Sequence, residues 1–395
     1  MSELMNIPNL RFPDFSDDWQ VSKLGDVTSK IGSGSTPRGG EEVYTSDGIL
    51  FIRSQNVKRN ILDLTDSTFI PEEVHFQMSG SEVKSNDVLL NITGASIGRS
   101  CVVPSSVITG NVNQHVCIVR TGRHLEPNFL QPFLASRRGQ KLIYQGQTGS
   151  GREGLNFQSI RSFKLSLPTK PEQQKIAAFL TAVDNKIEQL SKKQALLGEY
   201  KKGLTQQIFS QAIRFKADDG SDFPDWKEKK LGGVGRIRKG SQLNKSELTD
   251  TGDYPAINGG INPSGYTDKW NTGKNTITIS EGGNSCGYIN FITSKFWSGG
   301  HCYSIEELKG DVLNRFLFQY LKFNEHLIMR LRVGSGLPNI QKGEINNFKV
   351  NLPSLEEQTK ISNFLSSIDS KIEQVGKQLR ESKQFKKALL QQMFV

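Results

Sequence analysis

The chain has 395 residues, with 50 Lys and Arg against 40 Asp and Glu, a net charge of +10 and a pI near 9.3. At the usual ~100–200 residues per domain this is two or three domains, and 35% apolar residues with 22 phenylalanines exclude collagen-like, mucin-like and wholly disordered chains. The positive charge admits nucleic acid, a membrane surface or an acidic partner without choosing among them.

The stretch MSELMNIPNLRFPDFSDDW lacks the basic start, apolar core and small-residue cleavage site of a secretory signal. No run nears the ~20 apolar residues that span a bilayer, so a cytoplasmic protein with no membrane partner is expected. Trp19-x-x-x-Lys23-Leu24-Gly25 then opens a globular part. Short strands are predicted over 87–93 and 111–120, where β-branched and polar residues nearly alternate between glycine-rich turns. A helix is predicted over 127–144. Within this part the candidate DNA contacts are Arg53, Ser54 and Asn56, then Thr93, Ser96 and Arg99 on a glycine-rich turn, then Asn113, Gln114 and His115 before a strand, and Arg152 in a Gly-Ser-Gly segment. Such loops offer N–H groups to phosphates and short amides, hydroxyls and guanidinium groups to base edges. Ordinary hairpin chemistry accounts for the same glycines, and both readings stay open.

Pro168 and Pro171 mark the start of a long helix, and Glu172 its acidic first turn. From Ile176 the heptad a and d positions are Ile176, Leu180, Val183, Ile187, Leu190, Gln194, Leu197, Lys201, Leu204 and Ile208. A seam this narrow, sustained over about five heptads, predicts a helix that pairs with another. At 1.5 Å per residue, 172–209 would run ~57 Å.

The polar segment 217–222 is a boundary, and Trp226-x-x-x-Lys230-Leu231-Gly232 opens a second globular part. A strand is predicted over 274–280 and a helix over 311–331. Candidate DNA contacts here are Ser280, Glu281 and Asn284 on a second glycine-rich turn, His301 after Ser298-Gly-Gly, and Ser335. A second seam follows: Ile361, Leu365, Ile368, Ile372, Val375, Leu379, Ser382, Lys386, Leu389 and Met393. Shifted by 185 residues, 149–209 aligns with 334–394 without a gap, with 26 identities in 61 positions. The chain is therefore two copies of one plan. The expected fold is α+β, mixed α and β, with globular parts at 1–167 and 217–352 and long helices at 168–216 and 353–395 that pair antiparallel as a coiled coil.

Catalytic motifs are missing. There is no phosphate-binding loop of the Walker type, no HExxH, no convincing nucleophile elbow or dinucleotide fingerprint, and no Asn/Asp-Pro-Pro-aromatic motif of adenine methyltransferases. Cys101, Cys117, Cys286 and Cys302 form no Cys-x-x-Cys. With His115 and His301 nearby they have the right donors for a metal, but small reduced hydrophobes on equivalent strands are the preferred reading, and no metal site is assigned.

The two openings at Trp19 and Trp226, Leu90-x-x-Thr-Gly-Ala-Ser-Ile-Gly98, Gly149-Ser-Gly151, and the exits Leu167-Pro…Glu172-Gln-x-Lys-Ile176 and Leu352-Pro…Glu357-Gln-x-Lys-Ile361 resemble the specificity (S) subunit of type I restriction-modification systems. The resemblance runs over essentially the whole chain and implies two target-recognition domains, each reading half of a bipartite site in double-stranded DNA. It also implies helices that set the spacer and dock two methyltransferase (M) subunits, with restriction (R) subunits in the full complex. No cofactor is expected in this chain; S-adenosylmethionine, ATP and Mg would belong to the partners, and the chain itself would not be an enzyme. The second turn lacks the Thr-Gly-Ala-Ser-Ile-Gly form, so different half-sites are expected. Arg99→Ala is expected to weaken specific binding more than binding to random DNA. Competing readings are a coiled-coil adaptor that reads no DNA and a DNA-modifying enzyme with an unrecognised site.

Overall fold

The structure, a computed structural model, describes residues 7–148, 154–334 and 336–395. It divides into two compact units, one formed by residues up to Lys192 with Gly376–Val395, the other by Lys193–Val375. Each unit contains one globular part and a segment of both long helices, α1 (Lys170–Phe209) and α2 (Leu355–Gln392).

In the first unit the opening strand Gln20–Lys23 pairs antiparallel with the closing strand Lys164–Leu167, and the Leu24 N–H donates to the Phe163 carbonyl at 2.8 Å. A Cβ on Gly25 would lie 3.1 Å from the Arg161 Cβ and 3.2 Å from its carbonyl, so a side chain there would press on Arg161. A four-stranded sheet follows in the order Thr28–Ser33, Val116–Thr121, Val88–Asn91, Ser100–Val102. Its central strands are apolar on both faces because both are covered. Val88, Leu90, Cys117 and Val119 join the core beneath the helices, whereas Leu89, Val116 and Ile118 join a second cluster. A second sheet, Thr68–Ile70, Ile49–Ile52, Thr109–Val112, Glu82–Lys84, contains one parallel pair, Ile49–Ile52 with Thr109–Val112.

The second unit repeats this plan with its own residues. Lys227–Lys230 pairs with Lys349–Leu352, Leu231 donates to Phe348 at 2.8 Å, and the main sheet runs Arg236–Lys239, Cys302–Glu306, Thr276–Ser280, Ile289–Ile292. The parallel pair recurs as Tyr254–Ile257 with Trp297–Ser298.

The helical and strand expectations need four corrections. The stretch 127–144 is two helices, Pro127–Ala135 and Arg137–Gln145, because Ser136 leaves helical geometry at ψ 165 to cap the second one. The stretch 311–331 is likewise Asn314–Phe323 and Glu325–Met329, divided at Asn324. The stretch 111–120 is two strands of different sheets, interrupted at Asn113–His115. α1 ends at Phe209, short of 216; two residues on, Gln211 is left-handed at φ 60.

None of the apolar seam positions on α1 or α2 is exposed. The two lysines in the seams are also accounted for. Lys386 is buried and donates to Asp184 in the first unit, and Lys201 donates to Asp369 at 2.5 Å in the second. These pairs exchange donor and acceptor helices between copies, as an antiparallel pairing of a repeated sequence requires. A lone charged pair in an apolar seam fixes register at a cost in raw stability.

Candidate nucleic-acid interface

The two glycine-rich turns are one structure built twice. Asn91 N–H donates to Arg99, Gly98 to Asn91, Ile92 to His115 and Leu155 to Ile92; in the other copy Ser280 donates to Tyr288, Gly287 to Ser280, Glu281 to His301 and Ile340 to Glu281. Gly94 and Gly98 sit at φ 70 and 83, Gly283 and Gly287 at φ 76 and 88, in the left-handed region that favours glycine. The turns are therefore equal in length, and Asn91 corresponds to Ser280, Ile92 to Glu281, Thr93 to Gly282 and Arg99 to Tyr288. Sequence alone gives two glycine-rich turns but not this residue correspondence, because only Gly94, Ser96 and Gly98 recur, as Gly283, Ser285 and Gly287.

On this common frame the polar groups differ. In the first copy Thr93 Oγ1 lies 2.6 Å from His115 Nδ1, His115 Nε2 lies 3.2 Å from the Gln114 amide nitrogen, and the Thr36 hydroxyl donates to Gln114 Oε1 at 2.9 Å. If the Gln114 amide donates to Nε2, the imidazole proton sits on Nδ1 and points to Thr93. Asn113 is buried and its side chain accepts from the His115 N–H at 3.1 Å, shaping the corner that presents His115. Thr93, Gln114 and His115 are thus brought together, with Thr36 added. Sequence reasoning missed Thr36 because its partner lies 78 residues away, in the turn between two strands.

The other first-copy candidates are placed differently. Asn56 is buried and consumed by its own loop, accepting from the Arg53 N–H and donating to the Asp63 and Asp66 carbonyls. Both of its amide hydrogens are therefore used within its own loop. The Arg53 guanidinium lies over the Tyr44 ring at 5.9 Å and reaches Asp66 at 4.0 Å. The Ser54 carbonyl accepts from the Asn91 side chain at 2.9 Å. Ser96 is half-buried in the turn, and Arg99 lines a basic cavity whose wall does not include His115. Arg152 and Ser335, with Gly149-Ser-Gly151, lie outside the described residues.

In the second copy Glu281 replaces the aliphatic Ile92, and its carboxylate is 5% exposed. One oxygen accepts from Lys239 at 2.6 Å and from the Tyr303 hydroxyl at 2.9 Å; the other has no hydrogen-bond partner and lies 3.7 Å from His301 Nδ1. Burial, then the hydrogen bond to Glu281, pushes the Tyr303 phenol well above its ordinary value, so it stays protonated and donates. His301 is exposed, and Asn284 projects from the turn, exposed. Ser280, the Asn91 counterpart, is buried and turned onto the Gly282 carbonyl. Lys239 and Tyr303 carry no spacing signal and were not expected.

The four cysteines are buried free thiols. Burial pushes Cys101 and Cys117 up to about 12 and Cys302 up to about 11. Among the described residues no group of three or more His, Cys, Asp or Glu side chains is placed to hold a metal ion, and no helix is long and apolar enough to cross a membrane.

A duplicated α+β scaffold that presents different polar groups on one backbone frame, with paired helices in each unit, defines a specificity protein. Residues 16–197 and 224–381 match the type I restriction modification DNA specificity domain, and the chain belongs to that family. It is 23% identical over 415 residues to the type I restriction enzyme MjaVIII specificity subunit of Methanocaldococcus jannaschii, covering 96% of this chain and 92% of that one. The crystal structure of the type I restriction-modification S subunit from M. genitalium superposes with a TM-score of 0.67 at 18% identity, over 98% of this chain and 99% of that one. A chain from a structural study of complex assembly and conformational transition in the type I system superposes with a TM-score of 0.55 at 18% identity, over 94% and 96%. Specificity subunits are non-catalytic; they act on DNA in complexes with other subunits.

Proposed function

We propose that each globular part of this chain reads one half of a bipartite target in double-stranded DNA, the first through Thr36, Thr93, Gln114 and His115, the second through Glu281, Asn284, His301 and Lys239. The reading domains would be 1–167 and 217–352. The paired segments of 168–216 and 353–395 would set the spacer and dock two methyltransferase subunits, with restriction subunits joining the full complex. S-adenosylmethionine, ATP and Mg would then act in those partners.

One observation carries this reading: the same turn, with the same main-chain hydrogen bonds, holds a Thr–His–Gln chain in one copy and a Glu–Lys–Tyr–His cluster in the other. A scaffold kept constant while its polar groups change is what reading two different half-sites demands. Groove edges are distinguished by patterns of donors and acceptors, and a buried carboxylate beside an amide-bearing loop favours a base amino group as partner. A coiled-coil adaptor that reads no DNA would have no use for that difference.

The test is methylation sequencing of a host that expresses this chain with its cognate methyltransferase subunits. Replacing 1–167 with another member's first domain should change one half of the methylated motif and leave the other half and the spacing intact. A change in both halves, or methylation without the motif, would reject the modular reading.

A further inference from the structure

We infer that a cavity in the first unit, walled by the glycine-rich turn, the start of the helix Arg137–Gln145 and the last turns of α2, is a clamp for the phosphates of duplex DNA, separate from the groups that read bases. This rests on the DNA-reading function and assigns a site within it. The cavity measures about 570 Å³ and is lined by Arg59, Arg99, Arg137, Lys383, Lys386 and Lys387, with no Asp or Glu and no aromatic ring in its wall. Lys386 is neutralised by Asp184. The other five make no ion pair among the described residues.

Five like charges around one hollow repel one another unless an anion joins them. Guanidinium groups present planar forks that match phosphate oxygens, and the two lysines supply compact charges beside them. The helix start at Ser136 and Arg137 adds its positive end to the same wall. A free nucleotide would lack a ring to stack on, whereas a duplex backbone needs only the cations.

The walls are held in place rather than left to collapse. Gln140 donates to the Gly98 carbonyl at 3.0 Å, and a Cβ at Gly98 would approach the Gln140 side chain to 2.9 Å. The buried Gln131 donates to Asn60 at 2.7 Å, and the Asn60 N–H donates to Ser100 at 2.9 Å, fixing the loop that carries Arg59. The turn of the second copy is built from different residues. Tyr288 stands where Arg99 does, Gly198 is the repeat partner of Lys383, and a Cβ on Gly287 would lie 2.9 Å from the Met329 Cα. Without the counterparts of Arg99 and Lys383 the second copy would grip less strongly, which would bias where along the duplex the nonspecific grip falls. Arg99 becomes a phosphate contact, and Arg99→Ala should weaken binding to specific and random DNA alike, against the sequence expectation.

The test uses the full chain assembled with methyltransferase subunits and a random-sequence duplex of roughly 40 base pairs, long enough for both half-sites about one turn apart. Lysine acetylation read by mass spectrometry should show Lys383 and Lys387 protected by the duplex, with the exposed helix lysines Lys192, Lys193 and Lys202 unprotected. The triple variant Arg59→Ala/Arg137→Ala/Lys387→Ala should bind the duplex at least ~10-fold more weakly at low salt, and its slope of log affinity against log salt should be less steep by about 2–3. Duplex binding with Lys383 and Lys387 still reactive would overturn the clamp and leave the reader standing. Protection by the methyltransferase subunits before DNA is added would overturn it in favour of a protein interface. Failure of the native assembly to bind any duplex would overturn both the clamp and the reader.

Discussion

The Glu172 carboxylate is gripped by the Arg11 guanidinium through two contacts of 2.8 Å, and the carboxylate side chain is 1% exposed. The Trp19 indole donates to the same carboxylate at 3.4 Å. Glu357, Arg214 and Trp226 repeat the arrangement at 2.8–3.2 Å. The next residue in each copy, Gln173 or Gln358, accepts from a main-chain N–H of the globular part and donates to two carbonyls, including Pro168 or Pro353. Each long helix is thus bolted to its globular part at its first turn.

Removing one side of a buried ion pair strands the other charge, at a cost of about 3–5 kcal/mol. Arg11→Ala and Glu172→Ala should therefore each destabilise the first unit by that order, and the double variant should cost less than the sum. Thermal melts of the three variants check this. Hydrogen exchange should place the loss within residues up to Lys192 and spare the globular part of the second copy.

The Glu-Gln dipeptides were legible because they fall inside the ungapped repeat. Arg11 and Arg214 were not, since the opening segments of the two copies differ in length and no constant offset aligns them. The long helices and their seams were legible from period alone, because a narrow apolar stripe has one physical use. The reading sites were only half legible. A glycine at positive φ marks a turn, but whether Asn56 reads a base or staples its own loop depends on carbonyls of Asp63 and Asp66 that sequence cannot place.

Gly32 and Gly34 belong to one glycine-rich run and make opposite demands. A Cβ on Gly32 meets nothing within 4 Å, whereas one on Gly34 would lie 1.7 Å from the Val112 carbonyl oxygen. Gly32→Ala should be near neutral, or stabilising by a few tenths of a kcal/mol through reduced chain entropy. Gly34→Ala must displace the strand that leads to Asn113 and His115, and should cost at least ~2 kcal/mol while weakening recognition of the first half-site. Paired denaturant titrations and methylation profiles check the contrast.

The raised thiols give a stability limit at high pH. Unfolded cysteine ionises near 9.0, while Cys101 and Cys117 hold their protons to about 12 and Cys302 to about 11. Above pH 9 the unfolded chain binds fewer protons than the folded one, so stability falls by up to about 1.4 kcal/mol per pH unit for each thiol until its folded value is reached. Below pH 9 the contribution is intact. Native protein at pH 8 should resist a thiol reagent at these three positions, and denatured protein should react at all of them.

The Lys–Asp pairs set the terms for changing the spacer. Inserting seven residues after Leu190 in α1 and after Val375 in α2 preserves the a and d pattern and leaves Asp184 with Lys386 and Lys201 with Asp369. Seven residues add about 10 Å of helix, close to three base pairs of B-DNA at ten per ~34–36 Å turn. The methylated motif should keep both half-sites and gain roughly three base pairs between them. A two-residue insertion at the same places turns the seam by about 200° around each helix and should abolish the mark, because apolar side chains then turn to water. An unchanged spacing in the heptad variant, with methylation retained, would show that the helices are not the ruler.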